Sequence, residues 1–262
     1  MVSILFYIAL FLQGVFAFEK SIDTKAKDFM VDELGNIYLI HSTFIERYNA
    51  VGTGRFRTSE LSYGNIEYFD VTNPLKPFIY YRGLGKLVFF DNTLSQQGDA
   101  VDLFDRGYTQ VELIAGSRGD AYWMWDARNS ELLRVDQNFQ PLTSTGNLSV
   151  LLAKEINPSQ ILERGNHVYL RDSLNGVFVF DIYGTYRTTL NIQTKQDIQV
   201  RNDEVIFSDG MSVHVISSDW IAEEVLALPE QSPGRIFFFN RQLFFLRNEQ
   251  LRIYALSESG RN

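Results

Sequence analysis

Apolar residues arrive along this chain in short runs separated by polar turns, and within many runs polar and apolar positions alternate. "DELGNIYLIHSTFIERYN", from Asp32 to Asn49, reads as two short strands joined by a turn. A close variant, "ERGNHVYLRDSLNGVFVFDI", returns from Glu163 to Ile182. Past residue 18 no segment sustains the period of an amphipathic helix. Aligned on its second strand, the unit recurs at Asn36–Ile40, Phe78–Arg82, Ala121–Trp125, Val168–Asp172, Val205–Asp209 and Leu243–Arg247. The copies stand roughly forty residues apart, the spacing of a supersecondary unit that needs neighbours to cover its faces. Third strands end at Asn49, Asn92, Asp136, Asp181, Ser217 and Ala255. In four units a short polar residue follows the last apolar one: Asn49, Asp91, Asp136 and Asp181. Such a side chain bonds the backbone of the next turn and so ends the strand.

First strands ("KDFMVD", "IEYFDV", "QVELIA", "SQILER", "DIQVRN", "RIFFFN") precede each unit, and fourth strands ("RFRTSEL", "GDAVDL", "QPLTST", "TYRTTL", "AEEVLAL") follow the first five. The sixth unit shows three strands, and "FEKSID", Phe18–Asp23, is left over at the other end. Pairing that segment into the last unit closes a ring and removes an unpaired edge. From Phe18 to about Ser257 the chain therefore resembles a six-bladed β-propeller, an all-β fold closed by its N-terminal strand. "DELGNIYL…IERYNAVG" looks like a degenerate blade of the NHL-type and lactonase-type propellers. The Trp-Asp repeat ending, the kelch Gly-Gly pair and the S-x-D-x-G-x-T-W box are all missing. The alternative architectures are two domains or an eight-stranded barrel.

Composition narrows the setting. Hydrophobic residues make up 45% of the chain and aromatic ones 14%, enough for a packed core. The net charge of −8, with no run of Lys and Arg, argues against nucleic acid as a partner. With no cysteine, disulfides, thiolate chemistry, Cys-type zinc sites and a cysteine-linked lipid anchor are excluded. "MVSILFYIALFLQGVFA" is uncharged, short for a spanning helix and ends in the small residue Ala17. Residues 1–17 are expected to be a signal peptide and 18–262 the propeller, with no transmembrane span after cleavage; an uncleaved anchor or a buried N-terminal element is the alternative. An exported protein of this size without cysteine fits a bacterial envelope, periplasmic or associated with the outer envelope.

Catalytic chemistry finds little support. His41, His167 and His214 are the only histidines and show no metal-binding spacing, and no G-x-S-x-G elbow occurs. The spacing of Asp99, Asp102 and Asp105 matches no calcium loop. The lactonase resemblance implies calcium held by acidic and amide side chains around a channel, where Glu33, Asn166, Asn202 and Asp203 would stand. "YWMWD", Tyr122–Asp126, is expected to feed two cores from opposite strand faces. "RGD" at Arg118–Asp120 is read as an ordinary polar turn. "NLS" at Asn147 and "DSL" at Asp172–Leu174 match short glycosylation tripeptides.

One pattern remains. Hairpins between second and third strands gather on one propeller face and hold His41, Arg82, Arg128, Arg171, Asp172 and Arg247. Arginine forks pair with carboxylates and stack on aromatics, so a basic rim on an acidic protein suits docking. The sequence thus reads as a non-catalytic binding or scaffolding propeller with an envelope protein partner and no cofactor or metal. Envelope propellers of the Tol system and of outer-membrane assembly offer the analogy. A calcium-dependent lactonase-type hydrolase, or small-ligand or glycan binding in the channel, is the alternative.

Overall fold

Alternating β-branched and aromatic residues form pleated strands, and Gly, Asn and Asp turn the chain between them. A computed structural model describes residues 15–59, 62–230 and 234–257. After β1 (Phe16–Asp23), blade 1 comprises β2 (Asp28–Val31), β3 (Ile37–Ile40), β4 (Ile45–Tyr48) and β5 (Arg55–Arg57). Blade 2 comprises β6 (Tyr68–Asp70), β7 (Phe78–Tyr81), β8 (Lys86–Phe89) and β9 (Val101–Asp102). Blade 3 comprises β10 (Val111–Ser117), β11 (Ala121–Asp126), β12 (Glu131–Val135) and β13 (Pro141–Ser144), followed by the short helix α1 (Leu148–Leu152). Blade 4 comprises β14 (Pro158–Arg164), β15 (His167–Asp172), β16 (Gly176–Asp181) and β17 (Tyr186–Leu190). Blade 5 comprises β18 (Gln199–Arg201), β19 (Glu204–Ser208), β20 (Ser212–Ile216) and β21 (Glu223–Ala227). In blade 6, β22 (Ile236–Phe239), β23 (Gln242–Arg247) and β24 (Gln250–Leu256) take β1 as their outermost strand. Each of the six sheets is four-stranded, and the fold is an all-β, six-bladed propeller.

Ring closure is antiparallel, with Phe18 opposite Tyr254 and Asp23 opposite Gln250. The strand starts two residues before the expected cleavage point: Phe16 and Ala17 pair with Leu256 and Ala255. Phe16 is 6% exposed and meets Phe238 edge-on at 6.1 Å. Residues 1–14 of the expected signal peptide lie outside the described residues.

Each interblade gap is filled by an apolar cluster. Strand alternation assigns the occupants. Tyr122 and Met124 face Phe78 and Leu87 of blade 2, whereas Trp123 and Trp125 join Val168 and Phe178 of blade 4. The polar residues that end third strands act as the sequence implied. Asp136 Oδ1 accepts the N–H groups of Asn138 and Gln140 at 2.8 Å, and Asp181 Oδ1 those of Tyr183 and Thr185 at 2.9 Å. Asp91 does the same with Thr93 and Ser95, and Asn49 with Thr53.

Polar side chains then stitch the inner strands together. Gln160 of blade 4 accepts from Ile198 N at 2.8 Å and donates to Ile198 O at 2.9 Å. Gln199 of blade 5 accepts from Phe238 N of blade 6 at 2.8 Å. Tyr80 of blade 2 donates to Val111 O of blade 3 at 2.7 Å. Gly116 lets blades 2 and 3 approach: a Cβ there would stand 3.1 Å from Thr72 Cβ and 3.2 Å from Asp70 Oδ1.

Candidate functional site: the channel and the hairpin face

Inner strands run from a lower face, which holds the second-to-third-strand hairpins and the blade connections, to an upper face of first-to-second-strand turns. The channel between them is a cavity of about 330 Å³ lined by residues of β2, β6, β14, β18 and β22 and their flanks. At its lower mouth two arginines and two aspartates link three blades with the connection between blades 4 and 5. Arg235 Nη1 lies 2.6 Å from Asp28 and its Nη2 3.1 Å from Asp197. Asp197 also meets Arg171 Nη2 at 3.1 Å, and Arg171 Nη1 donates to Thr194 O at 2.9 Å. Burial raises the Asp28 carboxyl above its ordinary value, with the Arg235 charge acting against it.

Further up, Asp70 accepts from Thr72 N at 2.8 Å and Gly116 N at 3.2 Å, and the Tyr68 hydroxyl donates to it at 3.3 Å. Burial raises the Asp70 carboxyl against the pull of those N–H groups, and it raises the Tyr68 phenol well above 10.0. Near the upper mouth, Glu163 accepts from Ser117 Oγ at 2.5 Å, Trp123 Nε1 at 2.6 Å and Arg118 Nε at 2.9 Å. Arg118 is therefore held by a buried carboxylate of the next blade, and the RGD tripeptide is no free loop.

Of the six residues the sequence assigns to the rim, four stay at the lower surface and two leave it. Arg82 is 58% exposed in a 3-10 turn (Arg82–Leu84), with Glu67 at 3.9 Å. Arg128 is exposed at the β11–β12 hairpin, and Arg247 lies 3.5 Å from Glu230. His41 stacks on Phe44 at 4.1 Å and stands 3.5 Å from Glu46; burial lowers its pKa despite that carboxylate. Arg171 is only 4% exposed because its guanidinium turns inward to Asp197 and Thr194. Asp172 is 1% exposed and accepts from Asn157 N, Leu174 N and Asn175 N, which makes it a turn clamp.

Three of the four residues placed for calcium come to one upper-mouth pocket, and the fourth does not. Glu33, Asn202 and Asp203 border one upper-mouth pocket, together with Phe237, Phe238 and Phe239. Asn166 instead accepts from Arg118 Nη1 at 3.5 Å. Asn202 and Asp203 are turn residues with φ of 50° and 62°. Asp102 pairs with Lys86 at 2.9 Å and accepts from Phe104 N and Asp105 N. Among the described residues no three His, Cys, Asp or Glu side chains gather as a metal-holding group. His214 lies between Glu223 at 2.6 Å and Asp209 at 3.2 Å, stacked on Phe207. Asn147 caps α1 by accepting from Val150 N. The Asp28–Arg235–Asp197–Arg171 network had no local signal, since its members come from separate blades and connections and the Arg235–Asp28 pair forms only on ring closure.

No protein-family model matches the chain, and no curated protein sequence does. Solved structures do. A streptogramin B lyase is 14% identical with a TM-score of 0.58, over 87% of this chain and 78% of that one. The matching chain of a nidogen/laminin complex is 11% identical with a TM-score of 0.59, over 78% and 80%. BamB from Moraxella catarrhalis is 10% identical with a TM-score of 0.52, over 88% and 82%. One architecture thus serves a lyase and a member of a protein–protein complex, and at these identities the likeness establishes the fold.

Proposed function

We propose that the protein is a non-catalytic scaffolding propeller, exported to a bacterial cell envelope, whose lower face docks a protein partner. One observation carries the reading: two exposed arginines of blades 2 and 3 stand on that face among exposed apolar side chains of blades 2 to 5. Arg82 and Arg128 share the face with Leu84, Phe104, Val150, Leu151, Leu174 and Met211, each 42–81% exposed. Arginine is enriched among interface anchors, exposed apolar area gains by being covered, and a backbone already fixed in a ring adds little ordering cost on binding. The nidogen/laminin complex gives a precedent for a protein partner on this architecture. Export rests on the uncharged apolar run before Phe18, and among the described residues no helix is long and apolar enough to cross a membrane.

The test is recovery of partners from a solubilised native envelope on tagged protein. Reversing both Arg82 and Arg128 to Glu is expected to weaken capture by about 2 kcal/mol or more, roughly thirtyfold. Arg241→Glu, at an exposed upper-face turn, serves as the control. Arg118 is unsuitable for that purpose because its loss strands Glu163. Equal recovery by wild type and the double reversal defeats the docking reading.

A further inference from the structure

Arg164 ends β14 at the upper mouth, and its side chain borders the channel cavity, the upper-mouth pocket and the neighbouring groove beside blade 3. A guanidinium carries five N–H donors. Here Nη1 donates to Glu163 O at 2.8 Å, and no other protein acceptor bonds the group among the described residues. Nor does any carboxylate among them stand within 4.0 Å of it. Three of the acids nearby are already engaged, and Glu33 and Asp203, which border the same upper-mouth pocket, stand beyond 4.0 Å from the guanidinium. Asp32 accepts from Leu34 N, Asn36 N, the Asn36 amide and the Tyr38 hydroxyl. Asp70 is bonded to Thr72, Gly116 and Tyr68, and Glu163 to Ser117, Arg118 and Trp123.

A half-buried guanidinium with unused donors, facing a concave space, is matched by an external carboxylate, which a planar fork binds through two parallel hydrogen bonds. The space beyond it is partly apolar. Val31, Leu162, Val200 and Phe237 line the cavity between Arg164 and the charged lower mouth. At about 330 Å³ it is at the small end of ligand pockets. At the far end Arg235 and Arg171 are neutralised by Asp28 and Asp197 and Lys27 is exposed, while Arg164 has no carboxylate inside 4.0 Å and Asp70 acts on it only from farther off. We propose that the channel binds a small organic carboxylate, its head on Arg164 and its apolar tail running down between Val31, Leu162, Val200 and Phe237. This site is separate from the docking face, and neither assignment depends on the other.

Isothermal titration of the purified chain tests it with four probes: sodium hexanoate, 1-hexanol, hexylammonium chloride and sodium phosphate. Hexanoate is expected to bind at least about tenfold tighter than the other three, the factor a charge-assisted hydrogen bond supplies. Arg164→Gln should erase that preference while melting within about 2 °C of wild type, since the guanidinium bonds no protein side chain among the described residues and acts on Asp70 only at a distance. The probe series on the wild-type chain stands by itself whether or not the variant folds. Hexanoate failing to bind, or binding no tighter than hexanol, overturns the proposal. So does phosphate binding as tightly as hexanoate, or a folded Arg164→Gln protein that keeps the full hexanoate affinity.

Discussion

Glu163→Ala should be among the most damaging single polar substitutions in this ring, and its cost can be worked from the contacts. The carboxylate is only 6% exposed and joins blade 4 to blade 3 through Ser117, Arg118 and Trp123. Trp123 is fully buried, so removing the acceptor leaves its indole N–H without a partner, at about 1–3 kcal/mol. The bonds from Ser117 and Arg118 go as well, although Arg118 is 44% exposed and water recovers part of its share. Breaking one side of a buried charged cluster costs about 3–5 kcal/mol, and the sum here falls in that range. For a chain of this size that is a melting point about 10 °C lower. Urea unfolding followed by tryptophan emission reads it directly, because Trp123 and Trp125 are buried probes at this interface. Glu163→Gln should fall between, since its amide keeps one accepting oxygen but sets an N–H against the donors of Trp123 and Arg118. Burial by itself raises the Glu163 carboxyl, but the bonds from Ser117, Arg118 and Trp123 outweigh it and hold the pKa below 4.5. A carboxylate depressed in the folded state stabilises fully above its unfolded value. The gap between wild type and Glu163→Gln should therefore be complete near neutral pH and shrink as pH falls through the depressed value. A loss under about 1 kcal/mol at pH 7, or a gap that widens on acidification, refutes the account of this cluster.

Two further outcomes test the ring itself. Deleting residues 18–24 should lower the melting temperature of the whole propeller, because it bares the β24 edge and the cluster between blades 6 and 1 that Ile22 packs against; an unchanged melting point contradicts closure by β1. A chain beginning at Phe18 should also be less stable than one beginning at Val15 by about 1.5–3 kcal/mol, the worth of burying Phe16, and mass spectrometry of the exported protein shows which form is made. Gln160→Leu should cost about 1–3 kcal/mol in urea unfolding by leaving the Ile198 N–H and C=O unpaired between blades 4 and 5, and a neutral effect removes the stitch from the account.

The strands were legible because a period of two residues is written locally. "AYWMW" announces two faces with two destinations, and the structure sends Tyr122 and Met124 one way and Trp123 and Trp125 the other. Asp91, Asp136 and Asp181 were equally legible, since each bonds backbone two and four residues ahead. The spare strand Phe18–Asp23 found its partner by counting, because a ring has only one vacant edge. The candidate site was less so. Arg171 stands at a hairpin end like Arg82 and Arg128, and nothing in its neighbourhood shows that its fork turns inward to Thr194 and Asp197. Glu163 draws its partners from Ser117, Arg118 and Trp123, one blade earlier, and Arg235 finds Asp28 only across the seam. Alternation along a strand determines which way a side chain points; which charge or carbonyl waits there is decided by the neighbouring blade, and so by the closing of the ring.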